Sequence, residues 1–302
     1  MLMANKKYTI ISYYNFIKIK NLFKFKNILN KFTNDLDVKG IILIAPEGLN
    51  LSISIYSSQY NLFIKRLNTL FKILYDDLKI SYSNKHIFRK IKIKIKKEIL
   101  TTRIQHQINI EKHVGEYVSP IEWDNFIKRP DVLLIDTRNF YETEIGSFIE
   151  AINPKAKNFT ELLNWLNENM LTEENKKKKI ALFCTGGIRC EKATSYLKHK
   201  GHNDVYHLEG GIIKYLEKTE NKSSWHGECF VFDDRVSVNK KLNKGSYKIC
   251  YACRMPLSKD DIDNEKYIKG VSCHKCYGKK SQTQIDKYQM RNKQLHNIND
   301  YE

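Results

Sequence analysis

The sequence predicts a mixed α/β and α+β multidomain protein: a ferredoxin-like amino-terminal domain, a central α/β domain with a parallel sheet, and a small Cys-rich carboxyl-terminal region. Three observations predict it. Strand-like and helix-like segments follow one another as βαββαβ over the first 83 residues. Short, wholly apolar strands then alternate with helical intervals from Val114 onward. Four cysteines are confined to the last segment in two Cys-x2-Cys pairs. At 302 residues the chain is long enough for two or three cores. The expected units are 1–98, a linker at 99–113, 114–224 and 225–302.

In the first unit the periodicities give strand Tyr8–Tyr14, helix Leu22–Phe32, strands Gly40–Ala45 and Leu51–Tyr56, helix Tyr60–Leu74 and strand Lys79–Ser83. Pro46 and Gly48 supply turn chemistry between the central strands. This order folds most simply as a ferredoxin-like sandwich. Arg89–Lys97 follows, with Ile91, Ile93 and Ile95 alternating with Lys90, Lys92, Lys94 and Lys96. Period two gives one buried face and one lysine face, with the lysines ~6.6 Å apart. Such a face suits contact with phosphates, and equally suits an edge strand protected from aggregation.

Charge is distributed unevenly. Residues 1–98 carry 19 basic and 6 acidic side chains, residues 99–224 carry 18 of each, and residues 225–302 carry 15 and 10. A neutral middle between basic flanks suggests a catalytic core beside polyanion-binding surfaces. No apolar run approaches the ~18 residues of a membrane span, and the first seven residues lack the core of a secretory signal. A cytoplasmic protein without membrane contact is expected, its seven cysteines reduced and used for chemistry or metal binding.

Val132–Ile135, ending at Asp136, and Ile180–Phe183, ending at Cys184, are the apolar strands of a sheet covered on both faces, with helices at Leu162–Asn169 and Glu191–Lys200. Active sites of such sheets form beyond the carboxyl ends of the strands. There Cys184, Thr185, Gly186, Gly187, Ile188 and Arg189 run from strand into helix. Two glycines let backbone N–H groups converge on the sulfur, the helix adds its positive end, and Arg189 adds a cation, so the thiol is expected to ionise easily. Four residues separate Cys184 from Arg189, a tighter circle than the phosphate cradle of cysteine phosphatases, which favours sulfur-type chemistry. Cys190 is either a second, resolving thiol or packing at a helix start.

In the last unit Cys250, Cys253, Cys273 and Cys276 have zinc-ribbon spacing, with 19 residues between the pairs. A structural zinc or unmetallated thiols are the two readings. Lys275, Lys279, Lys280, Lys287 and Arg291 either extend an RNA-binding surface or form a solvated face. Cys229 lacks a partner at ligand spacing and reads as packing. A helical tail is expected from Ser281 to Gln294.

VLLIDTR (132–138), GSFIEAINP (146–154) and HLEGGI (207–212) resemble stretches of rhodanese-like domains. The resemblance implies that Cys184 can carry sulfur as a persulfide, with Asp136 and Arg138 supporting the loop. Over nearly the whole chain, GIILIAPEGLN (40–50), KKEIL (96–100), CTGGIRCEKA (184–193), HLEGGI and GECFVFDDRVSV (227–238) are similar to the bacterial tRNA uridine hydroxylases. That similarity implies oxygen-dependent conversion of the wobble uridine to 5-hydroxyuridine, with Cys184 as nucleophile or persulfide carrier, the tRNA anticodon arm as partner and molecular oxygen as co-substrate. No nucleotide cofactor is evident in the sequence. A rhodanese-type sulfurtransferase and a non-catalytic RNA-binding protein are the competing readings.

Overall fold

The computed structural model describes residues 7–71, 73, 75–103, 108, 110, 113–221 and 223–299. Much of the expected linker falls outside them.

The first layer is a five-stranded sheet. Strands β1 (Tyr8–Phe16), β2 (Lys39–Ala45), β3 (Gly48–Tyr56), β4 (Lys79–Ser83) and β5 (Ile91–Ile95) lie in the order β4-β1-β3-β2-β5, with helices α1 (Leu22–Asp35) and α2 (Tyr60–Asn68) on one face. The first four strands are antiparallel, and β5 joins β2 in parallel as the edge strand opposite β4. Leu49, Leu51, Ile53 and Ile55 of β3 turn toward Leu29, Phe32, Phe63 and Leu67 of the helices. Ser52 and Ser54 alternate with them and point to the other face, as a period of two requires. Helix α2 stops at Asn68, short of the expected Leu74, because the Asn68 side chain accepts the Ile73 N–H at 2.9 Å and closes a turn. Phe71 and Ile73 are nevertheless buried, so the apolar period marks the core beyond the helix itself.

The second layer is a parallel sheet of β6 (Glu116–Val118), β7 (Val132–Asp136), β9 (Lys179–Phe183) and β10 (Val205–Leu208), ordered β6-β10-β9-β7. Helices α3 (Pro120–Ile127) and α7 (Gly211–Lys218) cover one face, and α5 (Phe159–Met170) and α6 (Ile188–His199) the other. Ile180, Leu182 and Cys184 pack toward α5 and α6, while Ala181 and Phe183 pack toward α3 and α7. Burial on both faces explains the unbroken apolar run. The short helix α4 (Phe140–Thr143) and strand β8 (Gly146–Phe148) follow β7.

The carboxyl-terminal region begins with β11 (Trp225–Gly227), paired with β8. Two small hairpins follow, β12 (Cys229–Phe230) with β13 (Ser237–Val238), and β14 (Lys248–Ile249) with β15 (Pro256–Leu257). Helices α8 (Lys259–Asp263) and α9 (Gln282–Asn299) complete it, α9 running past the expected Gln294. Among the described residues no helix is long and apolar enough to cross a membrane.

Candidate active site and its interdomain supports

Strand β9 delivers Cys184, fully buried, to the carboxyl end of the parallel sheet. The chain then turns through Gly187, whose φ of 101° is a backbone state that L side chains rarely adopt. That conformation aims the Gly187 N–H at the Cys184 Sγ, 3.1 Å away. Burial alone would raise the thiol's pKa. The Cys190 thiol, the Arg189 charge and the N–H groups of Arg189 and Gly187 outweigh burial and bring it down to about 5. Cys190 moves the opposite way: burial and the neighbouring Cys184 sulfur push it well above its ordinary value. One of the pair is thus anionic at neutral pH and the other is its thiol donor.

The loop is braced from two sides. The first N–H groups of α7, those of Ile212 and Ile213, donate to the carbonyls of Cys184 and Thr185 at 2.9 and 3.1 Å. Gly211 makes this approach possible, since a Cβ there would lie 2.5 Å from the Cys184 carbonyl oxygen. Beneath the loop, Thr137 donates to the Phe183 carbonyl at 2.8 Å and lies 3.5 Å from the Cys190 sulfur. Gly186 is half-exposed with open space above it, which makes it the mouth of the loop.

Arg189 is buried beside the loop. Its guanidinium fork is engaged by Glu142, with Nη1 and Nη2 donating to the two carboxylate oxygens at 2.5 and 2.8 Å. It therefore acts on the thiolate as a fixed positive charge, and its fork is not available to clasp an anion. Glu142 is itself fixed by the Asn139 N–H at the start of α4. The Asn-x-x-Glu spacing marks a helix start in the sequence but does not reveal this partner. Asp136 and Arg138 form a second bidentate pair at 2.9 and 2.6 Å, entirely buried, and Arg138 also donates to the Gly146 carbonyl. The pair ties β7 to β8.

Two further supports come from the amino-terminal domain, and sequence reasoning missed both. The Tyr14 hydroxyl donates to Glu191 at 2.6 Å, and a Cβ on Gly187 would come within 2.6 Å of that hydroxyl. Tyr117 bonds the same carboxylate, and Lys79 stands over the Tyr14 ring at 4.8 Å. Burial raises the pKa of Glu191 to about 7 against the opposing pull of Tyr14, Lys79 and Tyr117. One residue along, Lys192 is 2% exposed. Its Nζ donates to Glu47 at 2.7 Å, to Glu98 at 3.0 Å and to the Leu100 carbonyl at 2.8 Å. APEGLN, KKEIL and CEKA, read from the sequence as separate similarities, thus meet at one ammonium group.

Lys90, Lys92, Lys94 and Lys96 are all exposed along β5 and its ends, away from the loop. The four carboxyl-terminal cysteines converge, with their sulfurs all within 4.8 Å of one another, and can hold a metal ion. Of the tail cations, Lys275 pairs with Glu144 and Arg291 donates to the carbonyls of Tyr251 and Gly270, so both serve the fold. Cys229 is buried in the core beside Trp225 and Val238.

A cysteine thiolate cradled by backbone N–H groups beyond the central strand of a parallel α/β sheet places residues 119–218 among rhodanese-like domains, and the model of that family matches this stretch. Residues 8–99 match a UPF0176 acylphosphatase like domain. Two relatives from Prochlorococcus marinus, both named tRNA uridine(34) hydroxylase, are 42% identical over 97% of this chain and 93% of theirs (strain NATL1A), and 40% identical over 99% and 97% (strain MED4). The chain belongs to the tRNA uridine(34) hydroxylase family. It also resembles a rhodanese-related protein from Thermoplasma volcanium, with 23% identity and a TM-score of 0.28 over 35% of this chain and 95% of that one.

Proposed function

We propose that this enzyme converts the uridine at tRNA wobble position 34 to 5-hydroxyuridine in an oxygen-dependent reaction in the cytoplasm, with Cys184 as the nucleophile. The observation that carries the reading is the Cys184 sulfur at the carboxyl end of β9, met by the Gly187 N–H at 3.1 Å, in a chain of this family. Addition of the thiolate to C6 of uracil breaks the C5–C6 π bond and leaves C5 electron-rich. C5 then takes one oxygen atom from O2. Loss of the C5 proton and cleavage of the C6–S bond restore the aromatic base and the thiolate. The second oxygen atom leaves as water, which consumes two protons and two electrons from a reductant outside the chain. Complete burial of Cys184 also suits a persulfide, whose outer sulfur would extend ~2 Å beyond Sγ. A mass increase of one sulfur atom on the Cys184 peptide would identify that route.

Transfer RNA from cells lacking the gene should contain no wobble 5-hydroxyuridine, and 18O2 should label the hydroxyl after complementation. Undiminished 5-hydroxyuridine in the deletion would refute the reading. Thiocyanate production from cyanide with no change in the tRNA would establish the sulfurtransferase instead.

The four-cysteine cluster supports a structural zinc. Tetrahedral Zn–S bonds of ~2.3 Å give sulfur separations of ~3.8 Å. The pairs Cys253–Cys273, Cys273–Cys276 and Cys250–Cys276 lie at 3.6, 3.8 and 3.9 Å. Four thiolates leave no open position, so the ion would cross-link the turn of the β14–β15 hairpin to the segment between α8 and α9 and take no part in the reaction. Metal analysis of the purified protein is expected to find about one zinc per chain, and Cys253→Ser to release it; metal-free protein with full activity would count against the site.

A further inference from the structure

A cleft of about 1030 Å³ lies between the edge strand β5 and the carboxyl-terminal region. It exceeds the ~300–1,000 Å³ usual for a small-molecule site. Eight lysine and arginine residues line it against two aspartates, together with seven phenylalanine and tyrosine rings. One of the aspartates, Asp233, is already neutralised by the Arg235 fork at 2.9 and 2.7 Å. Among the rings, Phe232 is 61% and Tyr251 42% exposed. Exposed rings interleaved with cations are a stacking platform beside phosphate contacts, the combination that holds single-stranded nucleic acid. A cleft for an acidic peptide would have no use for the rings.

The sheet register places this cleft relative to the nucleophile. Lys92 pairs with Ile41, Ile41 with Ser52, Ser52 with Ser12, and Ser12 with Lys79, all on the face turned away from α1 and α2. Lys92 and Ile41 line the cleft, whereas Lys79 lies beside Tyr14 and within electrostatic reach of Cys184. At ~4.8 Å between strands the row spans ~19 Å. With ~3.4 Å per stacked nucleotide that is five to six nucleotides. Ile41, Ser12 and Ser52 between the ends are only partly buried.

We infer that this cleft is a binding site for single-stranded RNA, gripping loop nucleotides several positions away from the base offered to Cys184. The inference rests on the proposed tRNA substrate and adds where its loop is held. It is tested by fluorescence anisotropy of the full chain with an unmodified RNA hairpin whose loop contains uridine. Phe232→Ala is expected to weaken binding about 5- to 150-fold. Lys92→Ala with Lys248→Ala is expected to reduce the slope of log affinity against log salt by about 1.4. Lys157→Ala, at an exposed lysine outside the cleft, should bind like the wild type. Both side chains of the double variant are exposed, so unfolding is readily excluded by thermal melting. Unchanged affinity and salt slope in both variants would overturn the site, as would polyglutamate competing as well as RNA. Loss of RNA binding in the variants of a protein that makes no 5-hydroxyuridine would uphold the cleft and defeat the hydroxylase reading; normal binding in variants of an active hydroxylase would do the reverse.

Discussion

Cys184→Ala is expected to lower 5-hydroxyuridine formation by about a thousandfold or more, because the one other described cysteine with a depressed pKa, Cys250, belongs to the four-cysteine cluster of the carboxyl-terminal region. Cys190 cannot substitute for it, since burial and the adjacent sulfur keep its thiol protonated. The variant should fold, because the change removes a buried anion while Gly187 and the α7 contacts to the loop carbonyls persist. A matching pH dependence follows from the depressed pKa. The thiolate is present above about 5 and is lost as pH falls through that value. The 13Cβ shift of Cys184 in cysteine-labelled protein should titrate with that midpoint, and activity should fall on the same acid limb. A midpoint near 9, or residual hydroxylation in the alanine variant close to wild type, would remove Cys184 from its assigned role.

Lys192→Met is expected to destabilise the protein by about 3 kcal/mol. Removing one partner of a buried ion pair usually costs ~3–5 kcal/mol, and the low end applies because Glu47 and Glu98 keep 29% and 27% of their side chains exposed. For 302 residues, at ~2.1 cal/mol/K of unfolding entropy per residue, that is a fall of about 5 °C in Tm. The two carboxylates left facing one vacated site repel each other. Adding Glu47→Gln and Glu98→Gln should therefore recover part of the loss, which simple loss of packing would not allow. The sign of the pH effect follows from Glu98. Its own burial opposes ionisation, but the Thr102 bonds and the Lys192 ammonium hold its pKa below the ordinary value. Its contribution is therefore complete above the ordinary carboxylate pKa and fades as pH falls through the lowered one. A Tm within 2 °C of wild type at pH 7 would show that the three-way contact carries no net stability.

The loop around the nucleophile was legible because its causes are local. Cys184, Gly187 and the start of α6 lie within six residues, and the hydrogen bond that matters spans three. The βαββαβ order was legible from alternation in β1 and β3 and from the apolar stripes of α1 and α2. What the sequence left open is carried by partners distant along the chain. Glu142 is 47 residues from Arg189, Glu47 is 145 from Lys192, and Tyr14 is 177 from Glu191. Each of these side chains would read as a solvated surface group until topology brings its partner to it. The lysine strand shows the converse. Its buried and exposed faces follow from alternation alone, but its position beside β2, at the rim of a cleft, depends on strand order, which periodicity does not encode.

The ammonium of Lys192 bears on how this enzyme can be taken apart. A fragment trimmed to the catalytic sheet would leave that group without any of the three acceptors that neutralise it, eight residues from the nucleophile and on the helix whose amino end faces the sulfur. Dissection at the domain border would therefore change the reactivity of the very atom it was meant to isolate. Chemistry measured on such a piece would describe a sulfur in a different electric field, and only the intact chain reports on the native one.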